Sequence, residues 1–226
     1  MKATAGRSST LEYVTIFPDN YDPGVPYPMI ICLHGRGADM RDLGGLAPAI
    51  DQTGYVYVCP NAPLAVPIGP GMMGRAWYES GGDANPGAVE RALSALDTLI
   101  DEVLEQYRVP SGQALLLGFS QGGAMTYRYG VPRPERFSGL VILSGALRNP
   151  DALRSQLPAG REQHIFIAHG TEDPVVSVEL SREAVAFLEA QGYQPQYREY
   201  PMGHEISFAV LNDLSPWICE VLPPYR

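Results

Sequence analysis

Ala114-Leu115-Leu116-Leu117-Gly118-Phe119-Ser120-Gln121-Gly122-Gly123-Ala124-Met125 is the stretch whose reading decides the fold. Its first half is apolar without alternation, which suits a strand covered on both faces, as in a parallel sheet. From Gln121 to Tyr129 the pattern becomes helical. The two halves meet at Gly118-Phe119-Ser120-Gln121-Gly122, a G-x-S-x-G string. Between a strand and a helix, such a string folds as a sharp turn that holds the serine in strained backbone geometry, and the flanking glycines relieve the crowding. In a chain rich in Gly and Ser the string alone is weak evidence. The strand before it and the helix after it give it weight.

The same alternation continues in both directions. Residues 11–17, 27–33, 55–59, 140–143 and 165–168 read as strands, and 197–200 as a weaker last strand near an edge. Residues 89–107, 121–129, 178–190 and 206–221 read as helices, with Pro216 expected to kink or split the last one. Alternating strands and helices predict a doubly wound α/β fold, a mostly parallel sheet with helices on both faces, in one domain over residues 1–226. Residues 61–87 read as a long Gly/Pro-rich loop that forms a wall or cap near a site. Gly69-Pro70-Gly71-Met72-Met73-Gly74 matches G-x-G-x-x-G literally. Pro67 and Pro70 deny it the preceding strand, and no helix pattern follows, so a dinucleotide site is set aside.

Composition narrows the function. Subtracting 25 acidic from 16 basic side chains leaves −9, which argues against a nucleic-acid binder. Lys2 is the only lysine, so lysine-based covalent and phosphate-binding chemistry has no carrier. Cys32, Cys59 and Cys219 read as free thiols of a reduced compartment, and no metal-ligand spacing links them to the four histidines. Residues 1–10 lack a signal-type apolar core, and no stretch approaches membrane-spanning length. A cytoplasmic protein without stable membrane insertion is expected. A homodimer stays open.

A serine needs a base, and the base needs an orienting acid. In strand–turn–helix hydrolases the chain order is Ser, acid, His, at strand ends. The strand 165–168 runs into His169-Gly170-Thr171-Glu172-Asp173-Pro174, and the strand 197–200 into Pro201-Met202-Gly203-His204. Ser120, Asp173 and His204 therefore form the candidate triad. Glu172 and Asp151 are alternative acids. His169 precedes the acid and reads as structural, and His164 reads as solvated. Backbone N–H groups of Gln121 and Arg36 are the expected oxyanion donors, with Gly35 as an alternative to Arg36. The Arg36 side chain either attracts an anionic substrate or pairs with Asp39 or Asp42. Leu64, Met72, Met73, Trp77, Val175, Val176 and Ile206 are candidate walls of a substrate pocket.

Six stretches carry a family resemblance: Leu33-His34-Gly35-Arg36-Gly37, Pro60-Asn61-Ala62-Pro63, Arg75-Ala76-Trp77-Tyr78, Gly118 through Met125, Gly170 through Val176, and Gly203-His204-Glu205-Ile206. In this order they resemble the phospholipase/carboxylesterase family of α/β-hydrolases, which includes acyl-protein thioesterases. The resemblance implies the same triad and a small catalytic domain without a large lid. It departs from the animal thioesterases at Arg36, where they commonly carry an apolar residue. The expected activity is hydrolysis of a small-molecule ester of short to medium acyl chain, with no cofactor and no metal. An acyl thioesterase or lysophospholipase would use the same triad, and a non-catalytic ligand-binding protein on the same fold is the reading from another class.

Overall fold

The computed structural model describes residues 1–79 and 86–226, so part of the 61–87 stretch lies outside the described residues. Among the described residues, eight strands form the main sheet: β1 (Lys2–Arg7), β2 (Glu12–Phe17), β3 (Met29–Leu33), β4 (Val56–Pro60), β7 (Ala114–Phe119), β8 (Gly139–Leu143), β9 (His164–Gly170) and β10 (Gln196–Tyr200). Their order is β1-β2-β4-β3-β7-β8-β9-β10. The pairs β1/β2 and β2/β4 are antiparallel, and every pair from β4 to β10 is parallel. Among the described residues, six α-helices accompany the sheet: α1 (Ala47–Ile50), α2 (Pro86–Gln106), α3 (Gln121–Gly130), α4 (Pro150–Arg154), α5 (Val178–Ala190) and α6 (Phe208–Val221). This is an α/β-hydrolase fold without a large lid among the described residues.

Successive side chains of each central strand go to opposite faces, so one strand feeds two cores. Met29, Ile31, Leu33 and Leu116 pack against Leu96, Ile100 and Val103 of α2, with Tyr127 of α3 and Leu188 of α5. Ile30, Cys32, Leu115 and Leu117 belong to the other core, with Ile50 of α1 and Val210, Leu214 and Ile218 of α6. Burial on both faces is why these strands read as unbroken apolar runs.

Three expectations are corrected. Strand β1 was absent from the pattern because its residues are almost all exposed, and it is held by backbone pairing along β2. The 61–87 stretch is not a structureless loop, for Leu64–Gly69 (β5) and Met72–Ala76 (β6) form a separate antiparallel hairpin. The prolines were read as breakers, but both strands of a two-stranded ribbon are edges, and the register shifts between Pro67 and Gly69, where a bulge tolerates the missing N–H. Helix α6 runs through Pro216 unsplit. Pro216 and Asn212, whose carbonyl loses its partner, are exposed, so water can replace the missing bond. Among the described residues, no helix is long and apolar enough to cross a membrane.

Candidate active site

The carboxyl ends of β3, β7, β9 and β10 open on one edge of the sheet. At the end of β7, Ser120 has φ 54° and ψ −115°, an unusual conformation for a residue with a Cβ. Its N–H donates to the Leu143 carbonyl at 2.8 Å, so the turn is anchored to β8. The flanking glycines are required here. A Cβ on Gly122 would stand 1.9 Å from the Leu33 carbonyl oxygen, and one on Gly118 would stand 2.2 Å from that of Gly122.

Asp173 and His204 meet across the ends of β9 and β10. His204 Nδ1 lies 2.6 Å from Asp173 Oδ2. The other oxygen, Oδ1, accepts the N–H groups of Val175 at 2.8 Å and Val176 at 2.9 Å. Burial alone would raise this carboxyl, but the Val176 N–H, His204 and the Val175 N–H together hold it below its ordinary value. A carboxylate can only accept, so His204 presents Nδ1–H to it, and Nε2 is the ring nitrogen left for another partner. The His204 ring packs on Phe119, the residue before Ser120, with centroids 4.7 Å apart. Among the described residues, no hydrogen bond joins the Ser120 hydroxyl to His204. Such bonds often tighten only when substrate binds. The alternative acids, Asp151 and Glu172, are exposed.

The N–H groups of Arg36 and Gln121 have no acceptor among the described residues. Gly35 brings the first of these loops close, since a Cβ there would lie 3.3 Å from the Ser120 Cβ. His34 is buried and wires this loop in place. Its Nε2 accepts the Ala62 N–H at 3.0 Å and its Nδ1 donates to the Gly35 carbonyl at 2.7 Å, which fixes the Nδ1–H tautomer. Desolvation lowers its pKa, opposed in part by that bond to Gly35. The β5–β6 hairpin braces the loop from outside: the Gly37 N–H donates to Arg75 O at 2.7 Å and the Arg75 N–H to Ala38 O at 2.9 Å.

Trp77 was expected to line a pocket. It is instead 0% exposed, and its indole N–H donates to the His34 carbonyl at 3.0 Å, so it supports the loop from behind. The Gln121 side chain completes this layer by accepting the Trp77 N–H at 2.9 Å and donating to Tyr78 O at 2.8 Å. Met72, Met73 and Val175 are 60%, 62% and 68% exposed, while Leu64, Val176 and Ile206 are half-buried. Arg36 is exposed and makes no ion pair among the described residues, while Asp39 is engaged by Arg41 at 3.5 Å. Sequence reasoning missed the structural part of His34, the amide of Gln121 and the contact of His169 with Asp173. None of them carries a local signal, because each depends on a partner fixed only by the fold.

The phospholipase/carboxylesterase family model matches residues 24–222. The acyl-protein thioesterase 1 homolog 1 of Dictyostelium discoideum is 28% identical over 178 residues, covering 74% of this chain and 77% of that protein. Carboxylesterase SOBER1 of Arabidopsis thaliana is 28% identical over 172 residues, covering 72% and 75%. The crystal structure of the Bacillus cereus carboxylesterase superposes with a TM-score of 0.76 at 18% identity, covering 94% of this chain and 95% of that one.

Proposed function

The chain belongs to the phospholipase/carboxylesterase family, and we propose that within it the chain is a serine hydrolase cleaving carboxylic esters of short to medium acyl length. Ser120 is the nucleophile, His204 the base and Asp173 the acid that orients it. The observation that carries this reading is the 2.6 Å His204 Nδ1–Asp173 contact, which leaves Nε2 as the nitrogen without that partner on the ring packed beside the Ser120 turn.

In this mechanism His204 Nε2 removes the Ser120 proton as Oγ attacks the ester carbonyl. Asp173 stabilises the imidazolium without taking its proton. The N–H groups of Arg36 and Gln121 receive the oxyanion, which exists only in the transition state and the tetrahedral intermediate, so they favour turnover over binding. His204 then protonates the leaving alcohol. Water repeats the sequence on the acyl-enzyme and releases the acid.

The test is hydrolysis of p-nitrophenyl esters from acetate to palmitate by wild type and Ser120→Ala. Turnover that vanishes in a folded variant supports the assignment, and turnover that survives overturns it. A second reading, acyl-thioester hydrolysis, is favoured by the name of the Dictyostelium relative. The ratio of kcat/KM for an acyl thioester and its matched oxygen ester decides between them.

A further inference from the structure

The carbonyl of Gly35 and the N–H of Arg36 belong to one peptide unit, so whatever binds the first aims the second. No peptide bond among the described residues is cis, and the two groups point in opposite directions across a planar unit. Two donors hold the Gly35 carbonyl. The Ala38 N–H closes a β-turn onto it at 3.3 Å, with Gly37 at φ 91°. The His34 Nδ1–H reaches it at 2.7 Å and makes the shorter, stronger bond. On the far side of the unit, the Arg36 N–H has no acceptor among the described residues.

The His34 ring is not free to release that bond. It is buried, its Nε2 accepts the Ala62 N–H at 3.0 Å, and it lies against the Trp77 ring with centroids 5.7 Å apart. The His34 carbonyl accepts the Trp77 indole N–H at 3.0 Å, which fixes the backbone that carries the ring. The bonds form a chain: Ala62 N–H to Nε2, Nδ1–H to Gly35 O, then through the peptide to the Arg36 N–H. Each bond in such a chain polarises the next. An imidazole that accepts on one nitrogen donates more strongly from the other, and a peptide whose carbonyl accepts has a stronger N–H donor. We propose that His34 is a positioning residue which, by donating from Nδ1 to the Gly35 carbonyl, fixes and polarises the Gly35–Arg36 peptide and so presents the Arg36 N–H to the oxyanion formed at Ser120. The proposal rests on the hydrolase reading above. Its effect falls on the transition state, because the charged oxyanion is a stronger acceptor than the ground-state carbonyl.

The other ties of this loop do not set that plane. The Gly37 N–H, which donates to Arg75 O, belongs to the next peptide unit, and Ala38 O, which accepts the Arg75 N–H, to a later one. Asn61 Oδ1 accepts the Met40 N–H at 2.8 Å, farther along still. These bonds decide where the loop stands, and His34 decides how one peptide within it is turned. Asp39, Asp42 and Arg75 are the charges that act on His34, and among the described residues none of them hydrogen-bonds to its ring.

Two amide replacements separate this role from simple packing. In His34→Gln the amide reaches the place of Nε2, keeps the Ala62 N–H and gives up Gly35. In His34→Asn it reaches the place of Nδ1, keeps a donor to Gly35 and gives up Ala62. With p-nitrophenyl butyrate, Gln should lower kcat roughly 10- to 100-fold with KM little changed, and Asn should stay within about threefold of wild type. A residue that only ties two loops together would make Asn as damaging as Gln. A Gln variant with kcat within about twofold of wild type, equal losses in both variants, or a loss confined to KM overturns the proposal. Nitrogen-15 spectra of the wild-type His34 ring test it without any variant, since a proton found on Nε2 rather than Nδ1 also overturns it. The carbon-13 resonance of the Gly35 carbonyl needs no turnover, and it should move upfield in Gln, where the donor is lost, and stay in place in Asn. If it does so while wild type cleaves neither esters nor thioesters, the hydrolase reading fails and the hold of His34 on this peptide stands. If wild type is active and kcat does not follow the carbon-13 shift, the proposal fails and the hydrolase reading stands.

Discussion

Replacing Gly74 with alanine tests whether the β5–β6 hairpin holds the loop that carries Arg36, the proposed oxyanion donor. A Cβ on Gly74 would stand 2.0 Å from the Gly37 carbonyl oxygen, where 3.4 Å is the onset of ordinary contact. The clash is with backbone, so no side chain can swing aside. Hairpin and loop must part by about 1.4 Å, the difference between those distances. The bonds joining them are 2.7 and 2.9 Å long, and a shift of that size along the contact breaks both. At about 1 kcal/mol each the loss is ~2 kcal/mol, or roughly 4–8 °C in Tm for a chain of this size.

The catalytic effect should exceed the stability effect. Arg36 is one residue from the broken bond, and its N–H is aimed by the loop alone. Loss of one oxyanion donor costs roughly 100- to 1000-fold in kcat, and partial misplacement should cost about 30- to 100-fold. The assay is steady-state hydrolysis of p-nitrophenyl butyrate at a temperature where both proteins are folded, beside a thermal melt. Because the donors act on the transition state, kcat should fall while KM changes little. Gly69→Ala is the control in the same hairpin, for its Cβ would meet nothing closer than the Met72 sulfur at 3.7 Å. A folded Gly74→Ala with kcat within twofold of wild type refutes the bracing argument, and so does a loss confined to KM.

Trp77→Phe removes the donor to the buried His34 carbonyl and should cost about 1–3 kcal/mol by urea unfolding, with acyl-length preference unchanged; altered preference would return Trp77 to the pocket wall. Arg36→Leu should lower the ratio of kcat/KM for mono-p-nitrophenyl glutarate over p-nitrophenyl valerate about fivefold to tenfold, and a constant ratio would show that the guanidinium does not meet the acyl chain. His34 has a lowered folded pKa, so below about pH 6.5 the unfolded chain takes up a proton the folded chain refuses, and stability falls with pH. His34→Gln, which can still accept from Ala62, should flatten that loss between about pH 6.5 and 5 in urea midpoints; an identical slope in wild type and variant would contradict it.

What was legible in the sequence follows from where each signal resides. Strand β7 was read with its true bounds because it is buried on both faces and ends in a turn with obligatory glycines. Helix α5 was bounded equally well: the Ser177 side chain accepts the Glu179 N–H at its start, and Gly192 takes φ 89° just beyond its end. The proposed triad could be assembled from the sequence because each member follows a strand end, Ser120 after β7, Asp173 after β9 and His204 after β10. The hairpin was missed because Pro67, which an edge strand tolerates, and Pro70, in the turn between the strands, both suppress strand patterning. Trp77 was misplaced for a related reason. An aromatic residue in a Gly/Pro-rich stretch looks the same whether it faces substrate or a carbonyl 43 positions away.

The relative placement of these residues depends on the sheet more than on the loops. Parallel pairing continues past the strand ends in three rungs: the Ser120 N–H to Leu143 O, the Ser144 N–H to Ala168 O, and the Thr171 N–H to Tyr200 O, each 2.8 Å. Two of these donors, Ser120 and Ser144, have positive φ, a conformation costing on the order of 1–3 kcal/mol apiece. Neither would persist in a free loop. The rungs hold them because β7, β8 and β9 are locked in register by two buried cores. Strain at Ser120 is therefore sustained by packing beneath it, and a core substitution that leaves the register intact should change stability without moving Ser120. Asp173 and His204 lie beyond these rungs. Asp173 is held by the Val175 and Val176 N–H groups and by His204, so the geometry of this pair is what local loop substitutions can alter.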